Sequence, residues 1–269
     1  MSSVTQAQAI IDKSLVQQSF DDASQCYNQF TSLQRTIGDR LMAEKKATIS
    51  QSIAALDVGV GTGYLSKQIA QLKNIDTLFA LDISLGMLQQ ADNAMRGIKP
   101  IELFCADAEQ LPMGDSRLGA VYSNLAFQWC DNLQQVFSES YRVLQPVGEF
   151  VFSTFGPATL NELKQSWQTV DDLVHVNAFV SVEEINAYLR TAGFQKVSVR
   201  SENIVMYYQT PKHLMLDLKG MGAHNMNPGR QHGLTGIQAF KMMIGSYEKK
   251  RTAKGIPATF QAVYAYATK

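Results

Sequence analysis

Cysteine is scarce in this 269-residue chain: Cys26, Cys105 and Cys130 stand at irregular spacing, with no C-x-x-C pair. An odd, scattered set argues against a disulfide framework or a cysteine zinc site. The four histidines, His175, His213, His224 and His232, have no metal-ligand spacing with cysteines or acids, so no metal is expected. Net charge is missing as well: 24 Lys/Arg balance 24 Asp/Glu, and no overall field points to a nucleic acid. No apolar run approaches the ~20 residues that span a bilayer. The polar N-terminus lacks the apolar core of a signal peptide, so the expected location is the cytoplasm. A G-x-S-x-G nucleophile elbow is also missing, which disfavours a Ser/His/Asp hydrolase.

The zero average hides an asymmetry. From Pro211 to Lys269 there are nine Lys/Arg against only Asp217 and Glu248. A basic C-terminal part fits either a solvated surface or a face for an anionic partner, and charge alone favours the first. The length suits one large domain or a domain with insertions. Residues 1–50 read as a helical cap, with Phe20, Ala23 and Tyr27 on one face and a second helix over 33–47. Residues 51–269 form the main domain. Strand patterns at 53–58, 77–81, 101–105, 118–123 and 149–154 alternate with helices at 64–72, 85–95 and 133–143. Short apolar strands between amphipathic helices make a parallel sheet covered on both faces. A helical insertion is expected at about 157–178, with the helix over 159–174. A capping box at Ser181–Glu184 then opens a helix that stops at Gly193. Strands at 195–208 and 260–266 enclose a second helical insertion at about 211–255, too long for a hairpin loop and suited to a lid. Cys105, in an apolar strand pattern, is expected to be buried.

The most telling stretch is Asp57-Val58-Gly59-Val60-Gly61-Thr62-Gly63-Tyr64, where an apolar strand gives way to a helix. Glycines there let backbone approach a ligand closely, and the helix start offers free N–H groups. The dinucleotide fingerprint G-x-G-x-x-G would need a glycine at position 64, which is tyrosine. Asp82 ends the second strand. It suits a helix N-cap for the segment from Ser84, and equally a carboxylate accepting from a ribose diol; after the glycine turn the second role is favoured.

The D-x-G-x-G-x-G pattern resembles motif I of the class I S-adenosylmethionine (SAM) methyltransferases. That resemblance implies an α/β fold with a seven-stranded Rossmann-like sheet, helices on both faces, N-terminal helices and a helical lid before the last strand. It implies a cofactor site built from Asp57, Gly59, Val60, Gly61, Gly63, Asp82, Ile83, Met87, Asp107, Ala108, Asn124 and Leu125. Asp107 would accept from the adenine amino group. Met87 would lie on the adenine face or simply pack in the core. Trp129 is better read as a core anchor. In Arg142–Gly148, Val147 replaces a glycine of the family's later turn, which is given no chemistry.

A closer resemblance covers nearly the whole chain. Phe20-Asp21-Asp22-Ala23 with Tyr27, then Ser123-Asn124-Leu125-Ala126-Phe127-Gln128-Trp129-Cys130, then Leu218-Lys219-Gly220-Met221-Gly222-Ala223-His224 with Gly229-Arg230, are similar to the malonyl-acyl-carrier-protein O-methyltransferase family of biotin synthesis. This implies methyl transfer from SAM to the free carboxylate of a malonyl thioester on acyl carrier protein, leaving S-adenosylhomocysteine (SAH). It implies an acidic partner docking on Lys241, Lys249, Lys250, Arg251 and Lys254. A carboxylate is ionised at neutral pH, so no general base is needed. Tyr27, Gln128, Lys219, His224 and Arg230 are the expected substrate-positioning residues. Lys219 and Arg230 also fit a plain surface role, and Tyr27 an aromatic staple. The alternatives are a methyltransferase of another small acid or quinone precursor, and a non-catalytic SAM-binding protein, against which the intact Asp82 and Asp107 argue.

Overall fold

The computed structural model describes residues 12–44, 53–98, 100–221 and 236–269. In chain order the elements are α1 (Lys13–Ala23), α2 (Ser32–Ala43), β1 (Ile53–Val58), α3 (Tyr64–Ala70), β2 (Ile75–Asp82), α4 (Leu85–Met95), β3 (Ile101–Cys105), β4 (Leu118–Asn124), α5 (Leu133–Val143), β5 (Leu144–Phe155), α6 (Asn161–Trp167), α7 (Val182–Ala192), β6 (Lys196–Tyr208), α8 (Pro211–Gly220), α9 (Ile237–Glu248) and β7 (Ile256–Thr268). The seven strands form one sheet in the order β3-β2-β1-β4-β5-β7-β6. β1 to β5 run parallel, and β7 enters antiparallel between β5 and β6. The expected α/β architecture is therefore present.

Each face of the sheet buries its own core. On one face Ile37 and Leu41 of α2, Ile69 of α3, Trp167 of α6 and Tyr247 of α9 pack on the sheet. On the other, Phe137 of α5 and Leu189 of α7 pack with Phe127, Phe150 and Phe152. The Phe150 and Phe152 rings lie 4.7 Å apart. Central strands buried on both sides need no polar alternation, which is why β1 reads as the near-continuous apolar run Ile53–Val58. Strand order reverses at β1, between β2 and β4. That switch point opens a crevice beyond the carboxyl ends of the strands.

Three local expectations are corrected. Helix α6 ends at Trp167 instead of running to residue 174. Past Trp167 the chain tightens, with Val170 N–H donating to the Trp167 carbonyl at 2.7 Å, and Asp171 Oδ1 then accepts the Leu173 N–H at 3.0 Å, an Asx turn that competes with further helix. Cys105 is exposed, because β3 is an edge strand covered only in part. Val147 does not sit in a turn before the strand: β5 begins at Leu144 and runs through it, with Val147 at φ 63° donating to the Lys269 carbonyl at 3.1 Å.

Gly59 has the tightest backbone requirement in the crevice. Its φ is +73°, and a Cβ there would meet Ala126 Cβ at 2.2 Å. Gly59→Ala should lower unfolding stability by about 2 kcal/mol in urea titration. Gly245→Ala, on open helix surface, should raise it by about 0.5–1 kcal/mol.

Candidate active site

The glycine turn is tied to the strand beside it. Gly59 and Val60 N–H both donate to the Leu81 carbonyl, at 2.8 and 3.0 Å. Gly61 N–H donates to Asp82 Oδ2 at 2.9 Å, and Ser84 N–H to Asp82 Oδ1 at 3.0 Å. Asp82 thus braces the turn and the start of α4 at once, while Ser84 is the N-cap. Burial pushes the Asp82 carboxyl up to about 6 against those N–H bonds, with the charge of Asp21 adding to the rise. Asp57 lies behind the turn, 1% exposed. Its Oδ2 accepts from Ser66 Oγ at 2.6 Å, and its Oδ1 has no hydrogen-bond partner among the described residues. Burial lifts Asp57 to about 7 against the Ser66 hydrogen bond, with Asp82's charge contributing.

A cavity of about 100 Å³ follows the strand ends, lined by Gly59, Gly61, Asp82, Ile83, Met87, Asp107, Ala108, Asn124 and Leu125, among others. Nine of the twelve expected cofactor residues therefore meet in one place. The other three stand apart: Asp57 lies behind the turn, Val60 packs with Ala80 and Leu88, and Gly63 caps α3. The N-terminal helix roofs this cavity. Lys13 Nζ lies 2.5 Å from Asp107 Oδ2 and 2.9 Å from Glu109 Oε2. Asp21 Oδ1 accepts from Ser84 Oγ at 2.5 Å and from Gly86 N–H at 2.9 Å, capping α4 from outside. A Cβ on Gly61 would point into the gap facing the Tyr27 ring, 4.0 Å away.

Phe20, Tyr27, Leu125 and Trp129 also line a second, larger chamber of about 710 Å³. Its walls are mostly apolar and include Phe155, Leu163, Trp167, Phe179 and Phe260. Trp129 is thus a wall between two cavities rather than a core anchor, held edge-on to Phe20 with ring centroids 5.5 Å apart. Leu125 adopts φ 52°, a strained conformation for a side-chain-bearing residue, fixed by its N–H to Ser153. Asn124 spends its amide inside the protein, donating to the Gln34 carbonyl at 3.0 Å and accepting from Ser153 Oγ at 2.7 Å. Gln128 donates to the Leu125 carbonyl at 2.6 Å and accepts from Thr154 Oγ1 at 3.3 Å. Both amides position the wall. Burial and the Asp82 charge raise the Tyr27 phenol, so it stays protonated.

Of the expected substrate residues, Tyr27, Gln128 and Lys219 line the chamber, whereas His224 and Arg230 lie outside the described residues. Lys13, Phe20 and His175 were not foreseen as site residues, and neither was Arg35, which lines a small cavity on the far side of the turn. Among the described residues no group of three or more His, Cys, Asp or Glu could hold a metal, and no helix is long and apolar enough to cross a membrane.

Residues 56–152 match the family of methyltransferase domains. The malonyl-[acyl-carrier protein] O-methyltransferase of Nitrosospira multiformis is 38% identical, covering 99% of this chain and 92% of that one. The chain belongs to this family. The biotin biosynthesis bifunctional protein BioHC of Cellvibrio japonicus is 37% identical over 94% of this chain and 50% of that longer protein. Among solved structures, a SAM-dependent methyltransferase of Thermotoga maritima, described as a possible histamine N-methyltransferase, shares the fold. Its TM-score is 0.56 at 16% identity, covering 94% of this chain and 99% of that one. The chain is a SAM-dependent O-methyltransferase of biotin synthesis, with SAM as its cofactor.

The crevice suits that cofactor. Gly61 leaves the space that a side chain would fill, Asp82 at the end of β2 and Asp107 just beyond β3 present carboxyl oxygens to the cavity, and Asp57 behind the turn keeps one buried oxygen without a hydrogen-bond partner among the described residues. Hydroxyl donors need the ionised form of Asp82. If Asp82 accepts from hydroxyls of the cofactor, SAH affinity should fall as pH drops through about 6. For folding the sign is opposite: a raised carboxyl favours the folded state at low pH, and that gain is lost as pH rises towards 6. Calorimetric titration of SAH from pH 8 to 5 should show the loss. Asp82→Asn should bind SAH about tenfold or more weakly and with a flattened pH dependence.

Proposed function

We propose that this methyltransferase esterifies the free carboxylate of a malonyl group carried on acyl carrier protein. The observation that carries this reading is the large apolar chamber joined to the cofactor crevice through Tyr27, Leu125 and Trp129. The basic groups in its described lining are His175 and Lys219, and its one acid is Asp171. Such a chamber suits an acyl chain that ends in an anion.

Bound SAM supplies an electrophilic methyl on a sulfonium, which a carboxylate oxygen takes in line as the C–S bond pair returns to sulfur. One negative and one positive charge disappear, so apolar walls that exclude water favour the transfer. The protein then has three tasks. Gly59, Gly61, Asp82 and Asp107 hold the cofactor, and Arg35 supplies a cation for its carboxylate end. Tyr27, Leu125 and Trp129 set the opening between the cavities. Lys219 stands at the exposed rim, suited to steer an anion inward. No side chain has to take a proton, because a carboxylate is already ionised.

Docking of the carrier protein fits the C-terminal end of α9. Ala239 lines the chamber, and Lys249 follows ten residues later, about 15 Å along the helix. Lys241, Lys249 and Lys254 are exposed. Two members of the expected basic patch are engaged within the protein. Arg251 pairs with Glu248 and the Gln209 carbonyl, and Lys250 donates to Gln165 Oε1 at 2.7 Å. Exposed charges of this kind act mainly on encounter rate and salt dependence.

Incubation with methyl-labelled SAM and malonyl-acyl carrier protein should put label into a base-labile ester on the carrier. Label on a free dicarboxylic acid but not on the carrier would favour the small-acid alternative. The triple variant Lys241→Glu, Lys249→Glu, Lys254→Glu should raise KM for the carrier substrate about tenfold, most at low salt, and leave malonyl-pantetheine turnover unchanged. Equal losses on both substrates would exclude this docking face.

A further inference from the structure

The chamber wall carries a polar constellation that the proposal above leaves unused. His175 Nε2 lies 2.7 Å from Asp171 Oδ1, and the imidazole lies flat on the Trp167 indole, with ring centroids 3.7 Å apart and planes within 8°. All three residues line the chamber. Trp167 is anchored in the core with α6, and Asp171 is fixed by the Leu173 N–H. The imidazole is therefore held on one face and one edge before any ligand arrives.

A carboxylate at hydrogen-bond distance and an indole face both present negative potential to the ring. Burial alone would raise the Asp171 carboxyl, but the hydrogen bonds from His175 and Leu173 N–H outweigh it and hold it below the ordinary range. The His175 side chain is 16% exposed, in contrast to the exposed Lys219 at the rim. Attraction at such a site is several times stronger than in water.

We propose that His175, held by Asp171 and stacked on Trp167, binds the free carboxylate of the acyl substrate and selects acyl groups that end in one. The assignment rests on the reading of the chamber as the malonyl site. Nε2 is committed to Asp171, so the other ring nitrogen meets the ligand. One N–H engages one carboxylate oxygen and leaves the second to attack the methyl group. His175 is thus a binding residue that orients the nucleophile without removing its charge. A neutral acetyl thioester offers the ring N–H no anion, which makes the pair a filter as well as an anchor.

Calorimetric titration of malonyl-pantetheine and acetyl-pantetheine into the protein–SAH complex tests this. The wild type should bind the malonyl compound about tenfold or more tightly than the acetyl one. His175→Ala should remove most of that preference with SAH affinity unchanged. Asp171→Asn, which keeps the shape, should reduce the preference in the same direction. His175→Lys, which supplies an N–H donor with a fixed positive charge, should restore part of it. An absent preference in the wild type, or an undiminished one in both His175→Ala and Asp171→Asn, overturns the assignment. A preference that vanishes in His175→Ala, alongside no ester on malonyl-acyl carrier protein, leaves the carboxylate site standing and overturns the methyl-transfer reading instead.

Discussion

Asp82 is the carboxylate on which the ligand-binding edge of the sheet depends. It is 8% exposed, its two oxygens accept from Gly61 and Ser84 N–H, and so it joins the glycine turn after β1 to the start of α4 after β2. The turn itself carries three glycines at positive φ, held also by the Leu81 carbonyl, by Gly63 N–H donating to the Val60 carbonyl at 2.9 Å and by Thr62 Oγ1 donating to Asn28 Oδ1 at 2.8 Å. Such a carboxylate is costly to bury, and its raised pKa records that cost. A ligand that donates hydroxyl protons relieves it. The same buried atoms thus brace the fold and face the cavity at the strand ends.

Around that edge the N-terminal segment acts as a roof with named fastenings. Lys13 reaches Asp107 and Glu109, Asp21 caps α4, and Phe20 stands edge-on to Trp129. Each contact joins residues far apart in sequence, and each lies beside the cofactor crevice or the chamber. The segment therefore lines both spaces, and Tyr27 borders the two.

The sheet was largely legible in the sequence, because a central strand buried on both faces is mostly apolar, with its polar residues kept to the end beside the site. The run at β1 and the acids at the ends of β2 and just beyond β3 carried the position of the site with them. What escaped notice was tertiary. Lys13 lies 94 residues from Asp107, and no periodicity links them. His175 and Asp171 sit at helical spacing, but outside a helix, and the His175 ring folds back onto Trp167 past the Asx turn. Trp129 reads as a core residue in sequence, since an aromatic that walls a cavity and one that fills a core have the same composition signal. Cys105 misleads for a related reason: an edge strand keeps an apolar pattern while leaving its last residue open.

The most direct measurement is a crystal structure of the protein with SAH and malonyl-pantetheine. The account predicts the thioether sulfur at the opening framed by Tyr27, Leu125 and Trp129, with the malonyl carboxylate facing it from the apolar chamber. A sulfur turned to open solvent, or an acyl group bound outside that chamber, would contradict it.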